Sequence, residues 1–321
     1  MSQESQRFAM LRIAMKRGVS AAILIAIASV FSFILIAAFP GNVAALIAEL
    51  RGGFVSQAVV DQVAIEYGLN DPLPLRYVHW LGDVLQGDFG RSLRTGQPVA
   101  EAIVERLEPT LVLIAGGGIV MLIVGVGLSF MGAMWPNGTT DRMIRAFAVL
   151  NVSIPKFFLA SMLIYAFGVT WNVFPTFGFR GLASWILPSI AIGVVPGALL
   201  SRVARVALEE TMSKPYAITA ISKGFSRRRI LFRDALPNIV PVVLTAFGMA
   251  LAQMVPNAFI IEPIFSWQGL GAYFVEAARF RDLPVLQACL LIFSVLFIVV
   301  NLVVDLIVIV VDPLQRRAAR A

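Results

Sequence analysis

The chain has 321 residues, of which 59% are hydrophobic and only 14% charged, whereas soluble domains carry roughly 25% charge. Its net charge of +7 could suit nucleic acid, but the basic residues flank long uncharged stretches and have no aromatic-rich polar face beside them, which fits positive-inside membrane topology and excludes a nucleic-acid partner. The lone cysteine, Cys289, excludes an intramolecular disulfide and a Cys-rich metal site.

About 20 apolar residues at 1.5 Å rise are needed to cross a hydrocarbon core of about 30 Å. The first such run, 18–40, follows Arg7, Arg12, Lys16 and Arg17. It is longer than a signal-peptide core and no small-residue cleavage motif follows it, so it reads as an uncleaved first helix, with a cleaved signal as the alternative. Segment 41–109 is too polar to span. Within it, 56–67 reads as an amphipathic helix with Val59, Val60, Val63 and Ile65 on its apolar side and Gly68 at its C-terminal cap, and 75–85 is similar. Tyr77, Trp80 and Phe89 fit a membrane interface or the mouth of a pathway. His79, the only histidine, has Asp83 at helical spacing but no further ligands, so no metal site is expected.

Further runs occupy 110–136, 157–179, 182–201 (continuing through Arg202 and Arg205 toward Leu208), 238–261 and 283–301, the last extending past Asp305 to 311. Pro188 and Pro196 in the fourth run predict kinks in one helix, and Gly193 with Gly197 predicts close helix packing. The fold expected is thus all-α and integral to the membrane, with six transmembrane helices. With the N-terminus in the cytoplasm, Arg142, Arg145, Arg202, Arg205, the basic residues of 214–233, and Arg316, Arg317 and Arg320 all fall inside, which places both termini there. Lys156 and Asn151 open the third span, Gln253 and Asn257 lie within the fifth, Glu262 lies near its outer end, and Asp305 lies in the sixth. Polar groups at such depth are candidates for lining a pathway. Interhelical hydrogen bonding is the alternative for each, and pairing with a basic residue is the better reading for Asp305.

Segment 209–237, EETMSKPYAITAISKGFSRRRILFRDALP, joins the fourth and fifth spans. Residues 216–223 favour a helix, Gly224 supplies the positive φ that ends it, and a second basic segment, 227–233, leads to Pro237. A helix, glycine turn and helix along the inner surface would offer a compact knob to a cytosolic partner; a plain basic loop would instead rest on anionic lipid.

The whole pattern resembles the permease subunits of ABC importers of the dipeptide, oligopeptide and nickel family, the first-permease or B-type subunit. In segment 209–237 the matching residues are Thr219, Ala220, Gly224, Ala235, Leu236 and Pro237. Elsewhere they are 35–41, GLNDPLP (68–74), GDFGRS (87–92), PVAEAIVERLEPT (98–110), FSWQGLG (265–271), RDLP (281–284) and 301–313 with Asp305 and Asp312. Ile218, Asn42 and Gln268 depart from the pattern, standing where an acid, an Asp and a Pro are usual.

The resemblance implies a multi-pass protein of the bacterial inner membrane, divided into a cytoplasmic N-terminus (1–17), a first transmembrane helix (18–40), a periplasmic segment (41–109) and a core permease domain (110–321) with a cytoplasmic coupling loop (209–237). It implies a second homologous permease, two cytosolic ATPase subunits and a periplasmic or lipid-anchored substrate-binding protein as partners, besides membrane lipid. ATP and Mg would bind the ATPase subunits. This chain would hold no cofactor and be no enzyme, in keeping with its lack of a G-x-x-x-x-G-K-[ST] loop. The residues implied in coupling are Tyr216, Thr219, Ala220, Lys223, Gly224, Arg233 and Pro237. Dipeptides, oligopeptides, nickel chelates, opines and glutathione remain open as substrates. A stand-alone ion-coupled secondary transporter is the competing reading, motivated by Asp305, Glu262 and Lys156, although no internal repeat is visible. No paired carboxylates, histidine cluster or activated nucleophile supports a membrane enzyme.

Overall fold

In lipid the backbone must satisfy its own hydrogen bonds, so an apolar chain of this kind is driven into helices. The computed structural model, described over residues 3–38, 42–50, 56–66, 68–178 and 181–311, is helical throughout, and among these residues an isolated antiparallel bridge between Arg91 and Pro98 is the sole β pairing. Pro40, Gly41, Arg51, Tyr67, Phe179, Arg180, Asp312, Pro313 and the basic residues 316, 317 and 320 lie outside the described residues.

In chain order the helices are α1 (Gln3–Ala37), α2 (Val43–Leu50), α3 (Gln57–Glu66), α4 (Leu73–Leu85), α5 (Val99–Met134), α6 (Thr139–Ser153), α7 (Lys156–Leu163, running on as π-helix through Ile164–Thr170), α8 (Ala183–Met212), α9 (Pro215–Ser222), α10 (Arg227–Ile230, running on as π-helix through Leu231–Ala235), α11 (Leu236–Ile264), α12 (Leu270–Phe280) and α13 (Leu283–Val311). Five stretches are long and apolar enough to cross a membrane: Met15–Ala37, Val99–Met134, Ala183–Met212, Arg227–Ile264 and Leu283–Val308. A sixth arises if α6 and α7, bent by 109° at their junction, form one broken span.

The third expected span, 157–179, is corrected by this geometry. Its helix ends at Thr170, because Asn172 takes a left-handed φ of 49° and Pro175 follows. Its N-terminal partner α6 was hidden in the sequence by Asp141, Arg142 and Arg145, which interrupt the apolar run yet suit an amphipathic helix with Ala148 and Asn151 buried. The second span likewise starts at Val99 rather than Thr110, since Glu101, Glu105 and Glu108 are accommodated on turns that still bury Ala102 and Ile103.

Helices α5 and α8 form the tightest pair. Gly117 of α5 meets Gly193 of α8, where an added methyl would run into the Gly117 carbonyl, and Gly197 faces Val124 and the Met121 backbone. Pro188 and Pro196 sit inside an unbroken α8, as expected for a membrane helix. At one end of the bundle, α2 and α3 share a small core of Ala44, Ile47, Ala48, Val60 and Val63. Ile65 lies on the opposite side of the helix from Val63 and is exposed, whereas Val59, one turn before Val63, sits in the first turn of α3 and is left partly uncovered. Helix α4 leans on α1, with Tyr77 and Trp80 5.4 and 5.7 Å from the Phe33 ring and a 2.9 Å hydrogen bond between Tyr77 and Ser29.

Candidate functional site

Three places collect the polar chemistry of the molecule: the segment between α8 and α11, a cluster where α7 meets α11, and a set of hydrogen bonds at the opposite end of the bundle.

The α8–α11 segment begins where α8 stops at Met212. Lys214 is extended and Pro215 opens α9, where a missing N–H costs nothing. Only Ala217 of α9 is buried; Tyr216, Ile218, Ile221 and, just beyond, Phe225 are exposed. Thr219 donates to the Pro215 carbonyl at 2.8 Å, Ala220 packs on the core, and Lys223 caps the helix. Gly224 then turns the chain at φ +81°, as expected, with nothing within 4 Å of where a Cβ would stand. The constraint at this glycine is therefore conformational rather than steric crowding.

Beyond it, Ser226 accepts from the Arg229 N–H and starts α10. The expected second surface helix is instead the opening of the fifth span: α10 passes through its π turns into α11, with Arg233 exposed and Pro237 in the first turn, where its ring is tolerated. The Asn238 amide donates to the Tyr216 hydroxyl at 3.4 Å, and Arg227 donates to the Ala133 carbonyl at the end of α5 at 2.7 Å. Nearby, Arg205 of α8 holds Asp141 of α6 at 3.1 Å and Glu209 at 2.6 Å, which ties α6 to the base of the segment.

Of the six polar residues singled out within the spans, Lys156 and Asn257 meet directly: the Lys156 ammonium donates to the Asn257 side-chain oxygen at 2.6 Å. The Asn257 amide in turn donates to the backbone carbonyl of Gln253, whose own side chain is exposed. The others lie apart. Asn151 is buried and donates within α6 to the Phe147 carbonyl at 2.9 Å. Asp305 pairs with Arg17 at 2.7 Å, joining α13 to α1. Glu262 is fully enclosed, accepting from Thr110 at 2.6 Å and from the Ala272 N–H at 3.0 Å.

Glu262 belongs to the third place, which sequence reasoning did not foresee. Thr110 accepts from the Leu270 N–H at 2.8 Å, and the Trp267 indole donates to the Pro109 carbonyl at 2.9 Å. Asp282 accepts from the Ser92 hydroxyl at 2.5 Å and the Leu93 N–H at 3.1 Å, just after Arg281 turns left-handed at φ 56°. Arg94 pairs with Glu276 and lies 4.4 Å over the Phe280 ring; Arg106 lies 4.3 Å over Tyr273. Burial pushes the Tyr273 hydroxyl up to about 12, so it stays protonated. The signal was present in the motifs GDFGRS, EPT, FSWQGLG and RDLP: four separate stretches of sequence are one contact set. Beside it, His79 and Asp83 border a cavity of about 330 Å³ between α1, α2, α4 and the start of α13, and no group of three metal-ligating side chains forms among the described residues.

Residues 122–317 match the family described as binding-protein-dependent transport system inner membrane component, and residues 10–114 match that system's N-terminal membrane component. The chain belongs to this family. The permease is 35% identical over 93% of its length, and 97% of the relative's, to a probable peptide ABC transporter permease protein, y4tP, of Sinorhizobium fredii. It is 34% identical to the glutathione transport system permease protein GsiC of Escherichia coli, covering 90% of this chain and 94% of that one. It is also 34% identical to the oligopeptide transport system permease protein AppB of Bacillus subtilis, covering 89% and 93%. A solved structure of the MetNI methionine ABC transporter in an inward-facing conformation shares the fold, with a TM-score of 0.56 at 17% identity, covering 66% of this chain and 96% of that one. The permease is thus a multi-pass inner-membrane subunit of an ABC importer, and none of these matches supports a stand-alone ion-coupled transporter.

Proposed function

We propose that the permease is the first of two homologous transmembrane subunits in a peptide importer. It would have six spans, α6 and α7 together forming the third, both termini in the cytoplasm, and 41–109 on the periplasmic side, with the core permease domain at 110–321. A periplasmic or lipid-anchored protein delivers the peptide, and two cytosolic ATPase subunits hold ATP and Mg and do the hydrolysis; this chain holds no cofactor and no catalytic residue. The names of the peptide, oligopeptide and glutathione permeases support the substrate class. Of the candidate lining residues, Lys156, Gln253 and Asn257 form the pathway cluster, while Glu262 and Asp305 hold helices together and Asn151 is satisfied within α6.

The observation that carries this reading is the continuity from α9 through Gly224 and α10 into α11. A short helix with exposed Tyr216, Ile218 and Ile221, joined by one turn to the foot of a span, converts a push from an ATPase subunit into a tilt of α11. Thr219, Ala220 and Lys223 shape that helix, and Arg233 and Pro237 lie at the foot of the span.

Gly224→Val tests it. A β-branched residue at positive φ costs about 1–3 kcal/mol locally and forces the turn to re-form, so the helix meets its partner wrongly. Uptake into vesicles and substrate-stimulated ATP hydrolysis are expected to fall by about tenfold or more, a step worth about 1.4 kcal/mol in coupling, while membrane insertion persists. Normal coupled uptake in this variant would remove the segment from the mechanism. Purification with the neighbouring subunits should recover a second permease and the ATPases.

A further inference from the structure

Charged groups deep in apolar helices are costly and are normally paired. Here Arg205 has Asp141 and Glu209, Glu262 is enclosed by hydroxyl and amide donors, and even Asp305, near the end of its span, has Arg17. Lys156 differs: among the described residues no carboxylate pairs with it, and its ammonium is held by one neutral oxygen, that of Asn257. An ammonium can donate three hydrogen bonds, so two remain for something else. Lys156 and Asn257 are half-buried, and Gln253 on the same stretch of α11 is exposed. That face is not one for hydrocarbon, because lipid cannot solvate an ammonium. Lys156 also opens α7 directly after the 109° break, and Pro155 supplies no side-chain cap to the first N–H groups. Broken membrane helices present such ends to anionic groups of a substrate, adding the partial positive charge of the helix to the ammonium.

We infer that Lys156, steadied by Asn257, is a carboxylate-binding station in the transport route, which selects peptide cargo through its free C-terminal carboxylate. This rests on the peptide-import reading and adds to it the chemical group that is recognised. The Asn257 oxygen keeps the ammonium extended and in place while the route is empty, and it is neutral, so it yields part of the ammonium to an arriving carboxylate at little cost. Asn257 lies seven residues before the end of α11. By helical rise that is about 10 Å below the outer end, on the side from which cargo is delivered in the proposed topology. The station therefore meets the carboxylate early in passage, and it must release it; one ammonium sharing its bonds with an amide binds strongly enough to orient the cargo and weakly enough to let it leave.

The test uses the assembled importer in vesicles with alanyl-alanine and alanyl-alanine amide as the two probes. Lys156→Gln should raise the KM for the free acid about tenfold or more, the scale of one lost hydrogen bond to a charged group, and abolish the preference for acid over amide. Lys156→Arg should restore that preference. Asn257→Asp should behave like Lys156→Gln, because an internal carboxylate beside the ammonium occupies the station. A purely structural lysine would be insensitive to the state of the cargo's C-terminus, so unchanged acid-over-amide discrimination in Lys156→Gln overturns the inference.

Independently of uptake, 15N-lysine labelling of the complex in nanodiscs keeps all three N–H groups of each ammonium, and the Lys156 signal is the one lost in Lys156→Arg. It should shift with alanyl-alanine and stay still with the amide. No shift, or the same shift with both, overturns the inference whatever the uptake shows. Wild-type vesicles that import neither probe overturn the peptide reading instead.

Discussion

The two ends of this permease, outer and inner in the proposed topology, are built on opposite rules. At the outer end, residues far apart in sequence are locked by buried side chains onto hydroxyls and backbone groups: Asp282 onto the Ser92 hydroxyl and the Leu93 N–H, Glu262 onto the Thr110 hydroxyl and the Ala272 N–H, Trp267 onto the Pro109 carbonyl. At the inner end, the α9–Gly224 segment leaves Tyr216, Ile218, Ile221 and Phe225 exposed and is tied down mainly by Ala217 and by Arg227 reaching Ala133. A carboxylate satisfied by several donors fixes one geometry, since leaving any donor unpaired in a buried site costs more than a hydrogen bond returns. An exposed helix on a glycine turn fixes little. The outer end thus works as a frame, and the inner end, in the proposed coupling, as the part completed by an ATPase subunit.

The comparison breaks most visibly at Glu262. Replacing it with Leu removes the acceptor of Thr110 and of the Ala272 N–H in a fully enclosed site. Two stranded donors at about 1–3 kcal/mol each give an expected loss of about 2–6 kcal/mol, visible as a lower thermal midpoint of the purified protein. Glu262→Gln keeps an acceptor oxygen and should lose far less. Gly269→Ala attacks the same point sterically, because its methyl would collide with the Glu262 carboxylate. If Glu262→Leu melts with the wild type, the outer frame is not what holds this end. Gly224→Val makes the contrast: an added Cβ meets nothing within 4 Å, so its cost is the local strain of about 1–3 kcal/mol at positive φ, and it should lower the thermal midpoint less than Glu262→Leu while cutting coupling more.

Asp282 comes next. Asp282→Ala strands the Ser92 hydroxyl and the Leu93 N–H, but Ser92 also accepts from the Thr95 N–H and part of the cluster borders solvent, so the expected loss is about 1–3 kcal/mol. Because Asp282 joins segment 87–98 to the start of α13, limited proteolysis should cut the outer segment faster in this variant. Unchanged cleavage would show that the segment is held by its apolar contacts instead.

Much of this architecture was legible in the sequence because lipid simplifies the problem. Long uncharged runs had to be helices, Pro188 and Pro196 did not break α8, and Gly224 had to turn. What escaped was whatever hydropathy alone cannot encode. Helix α6 was missed because a charged amphipathic helix looks like a loop to a search for apolar runs. The face of Ile65 was misassigned because apolar type was read without helical phase. The outer frame escaped because its partners are up to 190 residues apart and no local pattern says that Ser92 meets Asp282. In the Lys156 cluster the residues were visible but their meeting was not, since Asn257 lies 101 positions away.

The smallest effect belongs to the ion pair that joins the first helix to the last. Arg17 and Asp305 pair at 2.7 Å, but both side chains are substantially exposed, 53% and 38%. Exposed pairs contribute about 0–1 kcal/mol, because water and salt screen them and two long side chains lose freedom in pairing. Asp305→Asn should therefore shift the thermal midpoint little, with a deficit that shrinks as salt is raised. Helices α1 and α13 pack along apolar faces, and hydrophobic contact with its neighbours and with lipid holds α1 in place. A loss above about 2 kcal/mol that persists in high salt would mean that this pair is shielded like the outer carboxylates. The inner end would then carry a lock of its own, and the division between a fixed outer frame and an open inner face would have to be redrawn along α1 and α13.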